Sequence, residues 1–272
     1  MYTHVLLRYG EIFLKGKNRS VFERRLLNNI EKMTGQRPRN IRSRLLLPYF
    51  EEHHLLKRVF GLVSYSLAVK TQQDIEEIKQ AAVQLLKGKT GSFRVETQRS
   101  DKRFPLKSPE INSLVGKYIE ENSDLRFGLK SPQTLNVEIN QDGAFIFVDK
   151  VVCSGGLPTG VEGKVVLFLE EEASLLAGLL FMKRGTDIVP VSVKDRDINL
   201  LQKFSPRPLL LHMIKDASEI EDLAVKEKAN IVVSGQNFEK YGRYEFSLPA
   251  MRPLIAYGDE DIKEQLSNFR QA

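Results

Sequence analysis

Residues 163–185 read GKVVLFLEEEASLLAGLLFMKRG, and the reading of the C-terminal half turns on them. Residues 165–169 form a short apolar run suited to a buried strand. Residues 174–183 are apolar at helical spacing, and Gly185 is a natural helix stop. Where a strand runs directly into a helix, nucleotide-binding proteins place a glycine-rich loop. The unpaired N–H groups and the positive end of the helix dipole receive phosphate there. This turn holds Glu170, Glu171 and Glu172 and no glycine. A carboxylate about 4 Å from a phosphate charge is disfavoured by roughly 1 kcal/mol in water and about 4 kcal/mol at the effective dielectric of a protein surface. Three of them outweigh the few tenths to ~1 kcal/mol that a helix terminus contributes. The framework is that of a nucleotide site, and the turn chemistry opposes a nucleotide. Acidic residues also favour a first helical turn for its dipole alone, which is compatible with that reading.

Downstream, apolar strands and helices alternate. Strands are expected at 165–169, 188–193, 208–211 and 230–234, and helices at 173–184, 195–203, 217–227 and 260–269. That order predicts an α/β unit with a mostly parallel sheet. Upstream, the pattern is a strand at 5–8, a basic loop at 11–19 around Gly16 and a helix from Ser20 to about residue 33. A strand at 45–50, a helix near 52–59 and a strand at 63–69 follow. The order β-α-β-α-β predicts a ferredoxin-like module. A helix at 73–86, a strand at 91–96, a basic loop at 99–107 and a helix from 108 to about 121 come next. Two alternating runs at 135–139 and 144–148 flank Gln141-Asp142-Gly143, a hairpin signal. SGGLPTG at 154–160 reads as a linker or as a loop gripping a backbone.

The charge is uneven. Residues 1–44 hold 11 Lys and Arg against 3 Asp and Glu, whereas residues 161–272 hold 15 against 18. A basic front suggests a polyanion partner, nucleic acid first, although a solvated basic face gives the same composition. No run approaches 18 uninterrupted apolar residues, so no membrane span is expected. The opening MYTHVLLRYGE lacks a signal-peptide layout, and a cytoplasmic location is expected. Cys153 is the only cysteine, which excludes an internal disulfide and a multi-cysteine metal site.

Several long stretches then carry a resemblance. RYGEIFLKGKNRSVFE (8–23), VFGLVSYSLAVK (59–70), RSDKRFPLKSPEIN (99–112), SGGLPTGVEGKV (154–165) and LLFMKRG (179–185) resemble the tRNA 4-thiouridine synthetase (ThiI) family, in the family's order. The resemblance implies an α+β N-terminal half, a ferredoxin-like domain at 1–70 and a THUMP RNA-binding domain at 71–155. An α/β parallel-sheet domain resembling a PP-loop pyrophosphatase is implied at 161–272. In the family the front domains hold tRNA, the PP-loop domain adenylates a uridine with ATP, and a cysteine carries the sulfur chemistry. Here the Ser-Gly-Gly-x-Asp-Ser type loop is replaced by EEEAS. No cysteine stands in KFSPRPLLLHMIKD (203–216), and the later Ser-Gln-Thr type segment is not recognisable near EKYGRYEFSL (239–248). The expectation is a tRNA or structured-RNA binding protein without the family's ATP-dependent adenylation and sulfur transfer. The alternative is an RNA-modifying enzyme of the tRNA thiolation pathway that uses a rebuilt C-terminal site or a partner subunit.

The candidate RNA contacts are Lys15, Lys17 and Arg19 in the first basic loop, and Arg99, Lys102, Arg103 and Lys107 in the second. Ser108 and Asn112 open the following helix, whose N-terminus is a further phosphate candidate. Leu157, Pro158, Thr159 and Gly160 match a loop that the family keeps at the THUMP boundary. Of the nearby aromatics, Phe13 and Phe93 read as core, and Phe104 is open to either a core or a base-stacking reading. No catalytic residue, cofactor or metal is assigned. Asp195, Asp197 and Asp216 read as solvated carboxylates at strand–helix junctions, and His53 and His54 are adjacent and cannot share a helix face. The expected partner is tRNA or another structured RNA. A homodimer and a catalytic or sulfur-donor protein partner are further expectations.

Overall fold

The computed structural model describes residues 2–41, 44–243 and 246–272 of the chain. They form two compact units that interleave along the sequence. One comprises residues 1–8, 39–53 and 64–152; the other comprises 9–38, 54–63 and 153–272.

In chain order the elements begin with β1 (His4–Tyr9), a 3₁₀ stretch at Glu11–Asn18 and helix α1 (Arg19–Thr34). Strands β2 (Arg39–Ile41) and β3 (Arg44–Pro48), a 3₁₀ stretch at Glu51–Arg58 and β4 (Leu62–Thr71) follow. Then come α2 (Ile75–Leu86), β5 (Ser92–Arg99), α3 (Ser108–Glu121), β6 (Arg126–Phe127), β7 (Gln133–Asn140), β8 (Gly143–Phe147) and β9 (Val151–Val152). The remainder is β10 (Lys164–Phe168), α4 (Ala173–Lys183), β11 (Asp187–Ser192), α5 (Asn199–Phe204), β12 (His212–Met213), α6 (Ile220–Glu227), β13 (Val232–Ser234), β14 (Ala250–Met251) and α7 (Asp259–Gln271).

Strands β1 to β9 make one mixed sheet in the order β2-β3-β1-β4-β8-β7-β5-β6, with β9 on β4. The alternation read in the sequence is its register: Phe93 and Val95 on β5, Val137 and Ile139 on β7 and Ile146 on β8 face α2 and α3. The β7–β8 hairpin closes at Asn140↔Gly143, as the Gln-Asp-Gly signal predicts. Asp74 caps α2, its carboxylate accepting from the N–H groups of Glu76 and Glu77 at 2.9 Å each.

The second sheet is parallel throughout, in the order β12-β11-β10-β13-β14. Central β10 is apolar on both faces because both are covered. Val165 and Leu167 join the cluster containing α4, α5 and α7, while Val166 and Phe168 join the cluster containing α6. Helix α4 likewise lacks a polar stripe and buries residues around most of its circumference.

Several expectations shift. The stretch 11–19 is a 3₁₀ turn kinked at Gly16 (φ 52°) rather than an open loop, and β2 adds a strand that the sequence reading lacks; residues 42–43 of its approach to β3 lie outside the described residues. The expected helix near 52–59 is 3₁₀. The strand expected at 208–211 falls at 212–213, because proline at 206 and 208 supplies no N–H to a ladder. Among the described residues no helix is long and apolar enough to cross a membrane.

Candidate functional site

Strands β10 and β11 lie side by side, and β13 flanks β10 on its other edge. The chain therefore reverses its direction of winding at β10, and the C-terminal ends of β10 and β13 frame the crevice where open α/β sheets bind ligands. The glutamates stand there, and each is engaged. Glu170 accepts from the Ser234 hydroxyl at 2.7 Å and from Gln236 Nε2 at 3.2 Å. Both partners are buried, and Gln236 Oε1 in turn accepts from Arg252 Nε at 3.0 Å. Glu171 pairs with Lys240 at 2.8 Å, and Glu172 pairs with Arg270. The guanidinium of Arg196 donates to the Glu170 carbonyl.

The start of α4 is closed by its own backbone. Ser174 and Leu175 donate to the carbonyls of Glu171 and Glu172 at 3.0 Å each, so these amides are not free to receive a phosphate. Gly235 packs so tightly here that a Cβ would lie 2.4 Å from Ser174 N. The glutamates do not serve the first turn of α4, contrary to the expectation from the helix dipole. The first turn of α4 contains no acidic residue, and Glu172 at the N-cap makes no capping bond. The acids reach sideways instead, to the end of β13 and the segment after it and to α7. Beside the turn lies a cavity of about 450 Å³, lined by Leu169, Leu175, Arg196, Lys203 and Arg270 among others. Of the stretch 239–248, Tyr244 and Glu245 lie outside the described residues.

The sequence-predicted basic residues divide into engaged and open ones. Lys15 pairs with Glu162 at 3.0 Å, its ammonium 4.6 Å from the centre of the Phe22 ring. Arg19 donates to Glu23 at 2.7 Å and to the Tyr9 hydroxyl at 3.1 Å, and stacks over Phe13. The Tyr9 hydroxyl donates to Glu23 at 2.6 Å; burial first, and then this bond, push its pKa up to about 12. Lys17 is exposed. In the second patch, Arg99 donates to the carbonyls of Phe104 and Leu106 and shapes the loop from inside. Arg103 grips the buried Asp101 through Nε at 3.0 Å and Nη2 at 2.7 Å. Those bonds, then a bond from the Arg103 N–H, hold the Asp101 carboxyl well below the usual carboxylate range. Lys102 and Lys107 are both exposed.

Other site residues serve packing in this structure. Phe104 is buried in the core with Phe93, which removes it as a stacking surface, whereas Phe13 is 39% exposed. At the start of α3, near Ser108, Glu110 reaches back to the Lys107 N–H at 2.5 Å, so a carboxylate already stands at that helix N-terminus. Asn112 has a buried Oδ1 without a hydrogen-bond partner. Leu157, Pro158 and Thr159 are buried, and Gly160 is partly so. The Leu157 N–H donates to the Lys183 carbonyl at 2.9 Å, and Thr159 donates to the Met182 carbonyl at 3.3 Å while its own carbonyl accepts from Asn29 at 3.0 Å. The backbone that this segment grips is the chain's own. Asp197 and Asp216 accept local N–H bonds at 2.8 Å each.

Ser234, Gln236, Lys240 and Arg270 were missed as members of the glutamate network. An acidic turn signals that donors or cations lie nearby, but only the placement of β13 and α7 names them.

A mixed-sheet α+β front followed by a parallel α/β domain is the class of architecture these two sheets define. The ThiI ferredoxin-like domain family matches residues 4–66, and the THUMP domain family matches residues 72–149. The chain belongs to the ThiI family. It is 40% identical over 200 residues to a probable tRNA sulfurtransferase of Moorella thermoacetica, covering 69% of this chain and 51% of that one. It is 40% identical over 229 residues to one of Geobacillus thermodenitrificans, covering 75% and 57%. The chain thus spans about half the length of the curated relatives it matches. Among solved structures, PH1313 from Pyrococcus horikoshii aligns over 98% of this chain and 99% of that chain, at 30% identity and a TM-score of 0.87. A 4-thiouridine synthetase–RNA complex with bound ATP aligns over 99% and 85%, at 28% identity and a TM-score of 0.86.

Proposed function

We propose that the chain binds tRNA or another structured RNA through its front domains, and that its C-terminal domain does not activate that RNA with ATP. The domain extents proposed are 1–70, 71–155 and 161–272. The carboxylate of Glu170 between Ser234 and Gln236, at the mouth of the parallel sheet, is the observation that carries the second half. A phosphate arriving there meets a like charge worth about 4 kcal/mol of repulsion at 4 Å and surface dielectric. It also finds the amides of Ser174 and Leu175 already bonded. The first half is supported by the THUMP match and by the solved relative described with RNA.

Two titrations test the two halves separately. Filter binding with an unmodified tRNA transcript is expected to show binding that weakens steeply with salt, as phosphate contacts require. Calorimetry with ATP and Mg²⁺ at millimolar concentration is expected to show no heat. A tRNA that fails to bind at low salt removes the first half, and saturable ATP binding removes the second.

A further inference from the structure

Helix α1 carries a second set of cations outside the two loops. Its inward face, Phe22, Leu26, Asn29 and Ile30, is buried. Its outward face presents Arg24, Asn28 and Lys32, all exposed, and Lys17 is exposed just before the helix begins. Arg24 and Lys32 are two turns apart, about 12 Å along the axis. The two carboxylates of α1 are turned to other partners: Glu23 accepts from Arg19 and Tyr9, and Glu31 pairs with Arg37 at 3.5 Å. Among the described residues Lys17, Arg24 and Lys32 have no ion-pair partner, in contrast to Lys15, Arg19 and Arg103. The result is a one-sided row of cations with a neutral amide among them and no acid on the same line. Phosphate positioning uses such a row, since long-armed cations contribute affinity and an amide adds a hydrogen bond.

We propose that the outward face of α1, made by Lys17, Arg24, Asn28 and Lys32, is a contact surface for an RNA phosphate backbone. This rests on the RNA-binding reading above and moves the contact from the internally paired Lys15 and Arg19 to the unpaired face beside them. An acidic protein surface would find the same charges. RNA is favoured because the chain's family includes a relative solved with RNA.

The test compares full-chain wild type, K17E/R24E/K32E and a control K215E/K226E/K263E that makes the same charge change on other exposed lysines. Each is titrated with a tRNA transcript across a potassium chloride series, after circular dichroism confirms folding. Three lost contacts are expected to lower the log–log salt slope by about 2–3 and the affinity at 0.1 M salt roughly 100-fold. The control is expected to shift affinity much less. K17Q/R24Q/K32Q, which adds no repulsion and disturbs folding less, is expected to show the same loss of slope. If wild type binds tRNA and the α1 variants keep its slope, or the control falls as far as they do, the surface is not the RNA contact. Unchanged tRNA binding combined with lost capture of a polyglutamate probe would assign the face to an acidic protein and overturn the proposal. If wild type does not bind tRNA at all, it is the RNA-binding reading that fails.

Discussion

Replacing Glu170 with alanine removes the carboxylate that holds the C-terminal ends of β10 and β13 together. Ser234 and Gln236 are buried to 0% and 1% exposure and both donate to Glu170, so the substitution strands two buried donors. A hydrogen bond to a charged group contributes about 1.5–3 kcal/mol, and an unsatisfied buried polar group costs about 1–3 kcal/mol. The two partners share one network, so their losses are not additive, and a total of about 2–4 kcal/mol follows. Glu172 provides the comparison. Its pair with Arg270 is exposed at 61% and 53%, so Glu172→Ala is expected to cost no more than about 1 kcal/mol. Glu170→Gln keeps an acceptor for Ser234 but opposes an amide N–H to that of Gln236, and is expected to fall between. Urea unfolding followed by circular dichroism measures the three midpoints, and an unchanged slope licenses converting them to free energies. If Glu170→Ala and Glu172→Ala shift the midpoint equally, the buried network does not hold this turn and the reasoning fails.

Tyr9 is expected to stay protonated above the range of ordinary tyrosines, with a pKa of about 12 set by burial and then by Glu23; ultraviolet titration of wild type against Tyr9→Phe isolates it. The folded state holds that proton more tightly than the unfolded chain, so this stability is present below pH ~10 and declines as pH rises toward 12. Asp101 has the opposite sign: its lowered pKa gives stability that is present above the usual carboxylate range and lost as pH falls through the folded value. Asp101→Asn is therefore expected to flatten the acid limb of the stability profile, and a carboxyl carbon titration of wild type should show this group ionised after other aspartates have protonated. Gly156 sits at φ 77° with a would-be Cβ 2.2 Å from the Lys183 carbonyl, whereas Gly35, at φ 70°, has open space. Gly35→Ala is expected to cost about 1–2 kcal/mol for the left-handed backbone alone, and Gly156→Ala clearly more in the same urea assay.

Local chemistry made much of this protein legible from its residues. The helix from Ser108, the hairpin at Gln141-Asp142-Gly143 and the strand–turn–helix at 163–185 declare themselves through periodicity and turn residues, because those forces act between near neighbours in the chain. That three glutamates oppose a nucleotide could also be argued from charge and spacing. Which groups bind them could not. Ser234, Gln236, Lys240 and Arg270 stand more than 60 positions away from the turn and reach it only because β13 lies against β10 and the last helix packs near α4. The basic loops show the same division. Composition located Lys15, Arg19, Arg99 and Arg103, while folding engaged all four with Glu162, Glu23, loop carbonyls and Asp101. Sequence counts charges, but whether a charge faces solvent or a partner is a matter of distance, and long-range distances are set only when the sheets assemble.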